Sequence, residues 1–284
     1  MQELDQNYLI DFIESSLQED IGSGDHTSNA CIDENDRSRA KLLVKDHGTI
    51  AGVELAKMIF HHVDDSFKFE SHFKDGDDVN YGDVVFYVEG NTRNLLKTER
   101  LVLNAMQRLS GIATLSSRFA FEVGDLKAKI LDTRKTTPLL RPLEKWAVRI
   151  GGCLNYRDGL YDWIMIKDNH VEASGGVIEA ITDVHEYLKS NNLDLGITVE
   201  VRNLVELHQV LEVGGVTRIM LDNFDTTIMK EAVETIAGRF EVEASGGVTI
   251  QTVRKIAQTG VDYISSGSIT HSAGILDLSL KIIE

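Results

Sequence analysis

Six cations fall between Thr133 and Arg157, namely Arg134, Lys135, Arg141, Lys145, Arg149 and Arg157, against one acid, Glu144, in a chain whose formal net charge is −16. Like charges crowded this way repel unless a counter-charge joins them, and guanidinium groups match carboxylate and phosphate oxygens with paired hydrogen bonds. The run therefore predicts a small, highly anionic ligand. A solvated basic helix face is the plainer alternative, and the interleaved Trp146, Gly151, Gly152 and Tyr156 weigh against it. Downstream, Lys167, Glu200, Asp222, Ser245 and Ser266 each stand at the end of a short apolar run. The stretches SGGVT from Ser245 and SSGSIT from Ser265 put small residues before a helix start, where backbone N–H groups can approach a phosphate. His170 and His271 fit either a phosphate contact or a structural hydrogen bond. DIGSGDHT, with Gly22 and Gly24, lacks the third glycine and the strand and helix context of a dinucleotide fingerprint, and no HExxH occurs.

The elements that must hold these residues change character along the chain. Up to about residue 90 the pattern is mixed: a helix near Asn7 to Gln18, a strand AKLLVKD from Ala40, a helix from Val53 to His62, then strands KFESHF and DVVFYVEG separated by Gly, Asn and Asp turns. From Asn94 apolar residues keep helical spacing for roughly eight turns, and Gly111 is where a break would fall. Beyond it the runs AKILD, DWIMIKD, GITVEV, TRIMLD, FEVEAS and VDYISSG alternate with helical segments at Gly176 to Leu188, Leu204 to Val213, Thr226 to Ala237 and Thr249 to Thr259. Continuous apolar strands alternating with amphipathic helices predict a parallel sheet buried on both faces. Polar residues ending one strand after another, Asp132, Lys167, Glu200, Asp222, Ser245 and Ser266, favour a barrel, which brings every strand end to one mouth, over an open sheet.

Composition narrows the class further. At 284 residues and 42% hydrophobic, the chain can bury a large α/β core. The acidity argues against duplex nucleic acid, which needs an extended basic surface. No run of about 18 apolar residues predicts a membrane span. The acidic, amphipathic start is unlike a secretory signal, so the expected location is cytoplasmic. Cys31 and Cys153 form no CxxC pair and predict neither a disulfide framework nor a zinc site.

With these residues assembled, LKTERLVLNAMQRLSGIAT, ILDTRKTTP, LEKWAVRIGG, NYRDGLYDWIMIKDNH, VEVRNL, IMLDNF, EASGGV and GVDYISSGSITHS resemble quinolinate phosphoribosyltransferase, in order from about Asp20 to the C-terminus. The resemblance implies an α/β fold: an N-terminal α/β sandwich over residues 1–108, joined by the C-terminal segment 272–284, on an incomplete, seven-stranded α/β barrel over 109–271. It implies a homodimer with shared active sites, in which Arg100 reaches the partner's site. It further implies that Thr133, Arg134, Lys135, Tyr156, Arg157 and Lys167 hold quinolinate and pyrophosphate oxygens. Glu200 and Asp222 would bind the ribose hydroxyls and Mg2+, with Lys135, Glu200 and Asp222 as the catalytic set. Ser245, Gly246 and Gly247, with Ser266, Gly267, Ser268 and His271, would cradle the 5-phosphate. The implied reaction is phosphoribosyl transfer from phosphoribosyl pyrophosphate to quinolinate with loss of CO2, giving nicotinate mononucleotide and pyrophosphate in NAD biosynthesis.

The chain departs from the family pattern at three positions. Cys153 stands for a glycine, Tyr156 for a histidine that normally contacts substrate, and Leu139 for the glycine that usually follows TRKTTP. A phenol keeps hydrogen bonding but carries no positive charge near neutral pH. Two other readings compete: a paralogue that acts on or binds a different aromatic acid, motivated by Tyr156, and a Schiff-base lyase or aldolase with Lys135 or Lys167 as nucleophile.

Overall fold

A computed structural model describes residues 4–283. It divides into two compact units, one comprising residues up to Ser117 with Pro142–Gly152 and the segment from Ala273, the other comprising Arg118–Arg141 and Cys153–Ser272. The boundary expected at 108/109 thus falls inside the first unit, which also takes 142–152. Residues 1–3 and 284 of the expected N-terminal domain lie outside the described residues.

The first unit runs α1 (Gln6–Ile21), α2 (His26–Cys31), β1 (Arg37–Val44), β2 (Gly48–Thr49), α3 (Val53–Val63), β3 (Lys68–Ser71), β4 (Asp78–Val79), β5 (Val84–Asn91) and the first part of α4 (Thr92–Glu122). Its main sheet has the order β12-β1-β5-β3, where β12 (Leu278–Ile283) is the C-terminal strand, antiparallel to β1 with Leu42 opposite Leu280. Alternation along β1 turns Ala40, Leu42 and Val44 inward. Against this face packs the apolar stripe of α3, Leu55, Ala56, Ile59 and Phe60, and Phe60, Phe67, Phe69 and Phe86 form an aromatic cluster with centroids 4.5–6.1 Å apart. The α3 N-terminus is capped from outside the helix: the Asp75 carboxylate accepts from the backbone N–H groups of Gly52, Val53 and Glu54.

The break expected at Gly111 does not occur; α4 is one helix of 31 residues. Gly111 serves a different need, because a Cβ there would lie 2.0 Å from the Gly274 carbonyl oxygen. The glycine lets the C-terminal segment cross the helix closely.

The second unit holds β6 (Lys129–Leu131), β7 (Ile164–Ile166), α6 (Asp168–Ser174), α7 (Val177–Asn191), β8 (Ile197–Val201), α8 (Leu204–Val213), β9 (Arg218–Asp222), α9 (Thr226–Ile236), β10 (Glu241–Ser245), α10 (Val253–Ala257), β11 (Tyr263–Ser265) and α11 (Ser268–His271); α5 (Arg141–Ile150) spans the division between the units. One parallel sheet has the order β6-β11-β10-β9-β8-β7. Among the described residues six strands carry ladder bonds. The extra strand is reduced to an isolated parallel bridge, Leu131 with Leu154, on the free side of β6. It goes no further because the next residues bond a side chain instead: the buried Asp132 carboxylate accepts from Asn155 Nδ2 and from the Tyr156 backbone N–H. The helix expected from Thr249 begins only at Val253, since Thr249 and Thr252 form a side-chain-closed turn first.

Register places the functional face. Thr198 pairs with Arg218 and Arg218 with Glu241; Glu200 pairs with Met220 and Met220 with Glu243; Asp222 pairs with Ser245. With a two-residue side-chain period, these positions share one face of the sheet in successive layers. The lowest layer is closed by polar bonds. Arg218 meets Glu243 at 3.0 Å and Glu241 at 2.9 Å, and its guanidinium lies 3.9 Å from the Tyr263 ring centroid.

Candidate active site

At the C-terminal ends of the strands, the second unit collects most of the residues singled out from sequence. Thr133, Arg134 and Lys135 follow β6, where the Thr133 hydroxyl accepts from the Lys135 backbone N–H at 3.1 Å and the Thr270 hydroxyl donates to the Lys135 carbonyl at 2.9 Å. The aliphatic stem of Lys135 lies on Gly267: a Cβ added there would meet Lys135 Cδ at 2.8 Å and the His271 ring at 3.1 Å. Lys135 is thereby brought against the SSGS loop, a proximity no local spacing predicted. Lys167 follows β7, and its ammonium bonds Glu200 Oε2 at 3.1 Å. Asp222 ends β9, with Oδ2 accepting from the Asn223 side chain at 2.8 Å.

The two glycine loops are joined. The Ser266 hydroxyl is 2.7 Å from that of Ser268 and also reaches the Val248 carbonyl, while Asn223 N–H donates to the Ser245 carbonyl. Gly246 has φ 96° and a Cβ there would strike Asn223 Oδ1 at 2.2 Å; Gly247 has φ 59° with open space around it. Both positions hold backbone that ordinary side chains avoid. His271 is exposed beside this loop, its Nδ1 2.7 Å from the Ser272 hydroxyl.

Electrostatically the site is short of negative charge on one side. Arg134 Nε is buried with no hydrogen-bond partner. Arg157 is pushed below the ordinary guanidinium range first by burial and then by the charge of Arg134. Two guanidiniums close enough to repel, one with an orphaned donor, can together take up carboxylate or phosphate oxygens. Tyr156, by contrast, directs its phenol to the Thr198 hydroxyl at 2.6 Å, and burial raises its pKa. His170 accepts the Lys167 backbone N–H on Nδ1 at 3.0 Å, closing the N-terminus of α6. Arg100 lies on α4 in the first unit, exposed.

Several participants were missed by sequence reasoning: Asn155, Trp163, Thr198, Arg218 and Glu243. A signal for two of them existed. Arg218 and Glu243 are charges inside runs otherwise apolar enough to be buried on both faces, and buried charges are paired. Burial raises the Glu243 carboxyl pKa, opposed by a hydrogen bond from Ser265 and by the charges of Arg218 and Lys167.

Comparison with known proteins agrees with this geometry. Residues 25–110 match the quinolinate phosphoribosyl transferase N-terminal domain and residues 112–281 the C-terminal domain of the same enzyme. The chain is 50% identical over 282 residues to the mitochondrial quinolinate phosphoribosyltransferase [decarboxylating] 2a of Nicotiana tabacum, covering 94% of this chain and 80% of that one. It is 40% identical over 264 residues to the probable nicotinate-nucleotide pyrophosphorylase [carboxylating] of Bacillus subtilis, covering 93% and 90%. The crystal structure of NadC from Streptococcus pyogenes superimposes with a TM-score of 0.93 at 38% identity, covering 99% of both chains. With both domains matched in sequence and the whole chain in structure, the protein belongs to the quinolinate phosphoribosyltransferase family.

Proposed function

We propose that the strand-end site carries the family reaction: quinolinate and phosphoribosyl pyrophosphate give nicotinate mononucleotide, pyrophosphate and CO2. The observation that carries this reading is the pair Arg134 and Arg157, each cation disfavouring the other and with Arg134 Nε buried and unpartnered, in a unit whose two glycine loops are tied together through Ser266, Ser268 and Val248. Arg134 and Arg157 orient the two carboxylates of quinolinate, with Thr133 fixing the turn that presents Arg134. Lys135 and Lys167 face the departing pyrophosphate. Glu200 and Asp222 hold the ribose hydroxyls and stabilise positive charge as the anomeric carbon–oxygen bond breaks. The ring nitrogen of quinolinate then forms the new bond to that carbon. Once alkylated it is cationic and draws electrons from the adjacent carbon, so the bond to the neighbouring carboxylate breaks with its electron pair kept in the ring; CO2 leaves and the ring carbon takes up a proton. Ser245–Gly247, Ser266–Ser268 and His271 bind the 5-phosphate.

The donor set suits Mg2+ carried in with substrate. Glu200 and Asp222 are hard oxygen donors, and among the described residues no group of three or more His, Cys, Asp or Glu side chains could hold a metal unaided. Magnesium characteristically takes one or two carboxylates and completes its shell with phosphate oxygens and water. When bound, it would offset charge on the pyrophosphate.

The sheet and the Leu154 bridge support an incomplete barrel, and the chain's family supports a homodimer in which Arg100 enters the partner's site. The cytoplasm is the proposed compartment; among the described residues no helix is long and apolar enough to cross a membrane. The decisive assay follows nicotinate mononucleotide formed by the purified protein from quinolinate, phosphoribosyl pyrophosphate and Mg2+. Product is expected from the wild type and none from Lys135→Ala. Absence of product with saturating quinolinate would overturn the assignment, and near-normal turnover by Lys135→Ala would remove Lys135 from the reacting centre.

A further inference from the structure

The second unit's sheet is open: among the described residues no ladder joins its edges β6 and β7. The chain itself crosses that opening. Leu154 is bridged to the free side of β6, and β7 begins at Ile164, so residues 155–163 run from one edge of the sheet to the other as a strap. Arg157 sits on it. The strap's β6 end is tied to Asp132 through Asn155 Nδ2 at 2.6 Å and the Tyr156 N–H at 2.8 Å. Its middle is a tight turn in which Asp162 accepts from the N–H groups of Asp158 and Gly159.

Inside the sheet, both ends converge on one hydroxyl. Thr198 Oγ1, fully buried on β8, is 2.6 Å from the Tyr156 hydroxyl and accepts from Trp163 Nε1 at 2.9 Å. A hydroxyl oxygen has one proton to give and two lone pairs, so it can serve both partners at once. The two rings pack edge to face at 6.2 Å, and the Arg218 guanidinium lies 5.0 Å from the Tyr156 centroid and 5.7 Å from that of Trp163. Arg157 Nη1 in turn donates to the Trp163 carbonyl at 3.2 Å. The guanidinium that Arg134 repels is therefore restrained through the residue whose indole is locked to Thr198.

We propose that Tyr156 is a positioning residue: through the Thr198 hydroxyl it shares with Trp163, it latches the strap and fixes Arg157 against the repulsion of Arg134, and so sets affinity for the aromatic dicarboxylate. Position 156 then serves recognition from behind Arg157, with its hydroxyl turned into the sheet. The inference rests on the reading that Arg157 binds quinolinate.

The test measures KM for each substrate, kcat and the melting temperature for Tyr156→Phe, Thr198→Val, their double variant, and Arg157→Lys. Tyr156→Phe keeps the ring over Arg218 and deletes only the hydroxyl. Loss of one such bond corresponds to about a fivefold change, expected in KM for quinolinate, with KM for phosphoribosyl pyrophosphate and kcat each within about twofold. The double variant should match Thr198→Val alone, because both changes delete the same bond. Arg157→Lys should raise the quinolinate KM at least as much. If Arg157→Lys raises it while Tyr156→Phe leaves it unchanged, or if Tyr156→Phe lowers only the melting temperature or shifts both KM values together, the positioning role is overturned and the site reading survives. If Arg157→Lys leaves the quinolinate KM unchanged, the site reading falls and the inference with it.

Discussion

Gly267→Ala isolates how closely the lysine of one loop is held against the phosphate loop of another. Gly267 has φ −70° and ψ −21°, a conformation alanine adopts without strain, so the backbone itself offers no objection. The added Cβ would stand 2.8 Å from Lys135 Cδ, where ordinary contact begins at 3.4 Å, so the lysine must give way by about 0.6 Å, and its ammonium, two bonds further out, by more. Displacements of about 1 Å at a reacting centre cost on the order of 100-fold in rate, so kcat/KM for phosphoribosyl pyrophosphate should fall about 10- to 100-fold. Stability should hardly move, because a flexible stem is what yields and alanine restricts the unfolded chain by about 0.4–1 kcal/mol in compensation. Steady-state kinetics of Gly267→Ala, Lys135→Ala and the double variant, alongside thermal melts, provide the assay. The substitution should add less in the Lys135→Ala background, where only the His271 ring, 3.1 Å from the added Cβ, remains to be displaced. Full activity in Gly267→Ala, or an equal loss with and without Lys135, would refute the argument that this contact positions Lys135.

Three further outcomes are expected. Arg218→Met leaves Glu243 and Glu241 without their shared cation and should cost about 3 kcal/mol, the scale for breaking a buried ion pair; because burial raises the Glu243 pKa above its ordinary 4.5, the acid's contribution is full below that value and is lost as pH rises through the raised one. Without Arg218 the buried acid is still costlier to ionise, so calorimetric melts should show the variant's deficit growing as pH rises above 4.5, and a deficit that ignores pH would contradict it. Burial pushes the Cys153 thiol up to about 12, so it stays protonated and unreactive at pH 8, whereas Cys31 is exposed; mass spectrometry after brief iodoacetamide treatment of the native protein should find Cys31 labelled and Cys153 intact. Leu139 is 89% exposed with φ 65°, a left-handed conformation that costs an L-residue about 1–2 kcal/mol; Leu139→Gly should raise stability by about 1 kcal/mol, and a lowered melting temperature would show that the leucine side chain contributes more than its backbone loses.

The parallel sheet was legible because its strands are short continuous apolar runs, and such runs between amphipathic helices have few other folded solutions. The strand-end residues followed from the same logic: a polar residue that closes an apolar strand must emerge where the strand leaves the core, and in a parallel sheet all such exits lie on one edge. Sequence order carries no register, however, and register is what decides this site. Lys167 meets Glu200 because Ile166 pairs with Val199, and Lys135 meets Gly267 because Leu131 pairs with Ser265. Those contacts span 33 and 132 residues and arise from the whole sheet, so no local window contains them. The strap was hidden for a related reason. Residues 153–156 resemble the start of a strand, and only a buried carboxylate at Asp132, an end-of-strand residue in its own right, diverts them from the ladder.

The charges in the sheet's lowest layer were the clearest signal left unused. In TRIMLD and FEVEAS, Arg218, Glu241 and Glu243 interrupt runs otherwise suited to burial on both faces, and the two-residue period puts them on the same face as Asp222 and Ser245. Arg218 and Glu243 are buried, and an unpaired charge in either position would destabilise the sheet severely, so the sequence already required those two to find one another, with the half-exposed Glu241 at the rim. Once Arg218 is fixed by two carboxylates, its upper surface is a cationic plane, and electron-rich aromatic faces are favoured against it. That is where Tyr156 and Trp163 lie, 5.0 and 5.7 Å from the guanidinium. An imidazole could also sit over that plane when neutral, but protonation would set it against Arg218, so a phenol here removes a pH-dependent repulsion from the layer beneath the substrate site. Tyr156, where the family resemblance leads one to expect a histidine, is therefore compatible with the proposed strand-end chemistry, because its side chain answers to the sheet's interior.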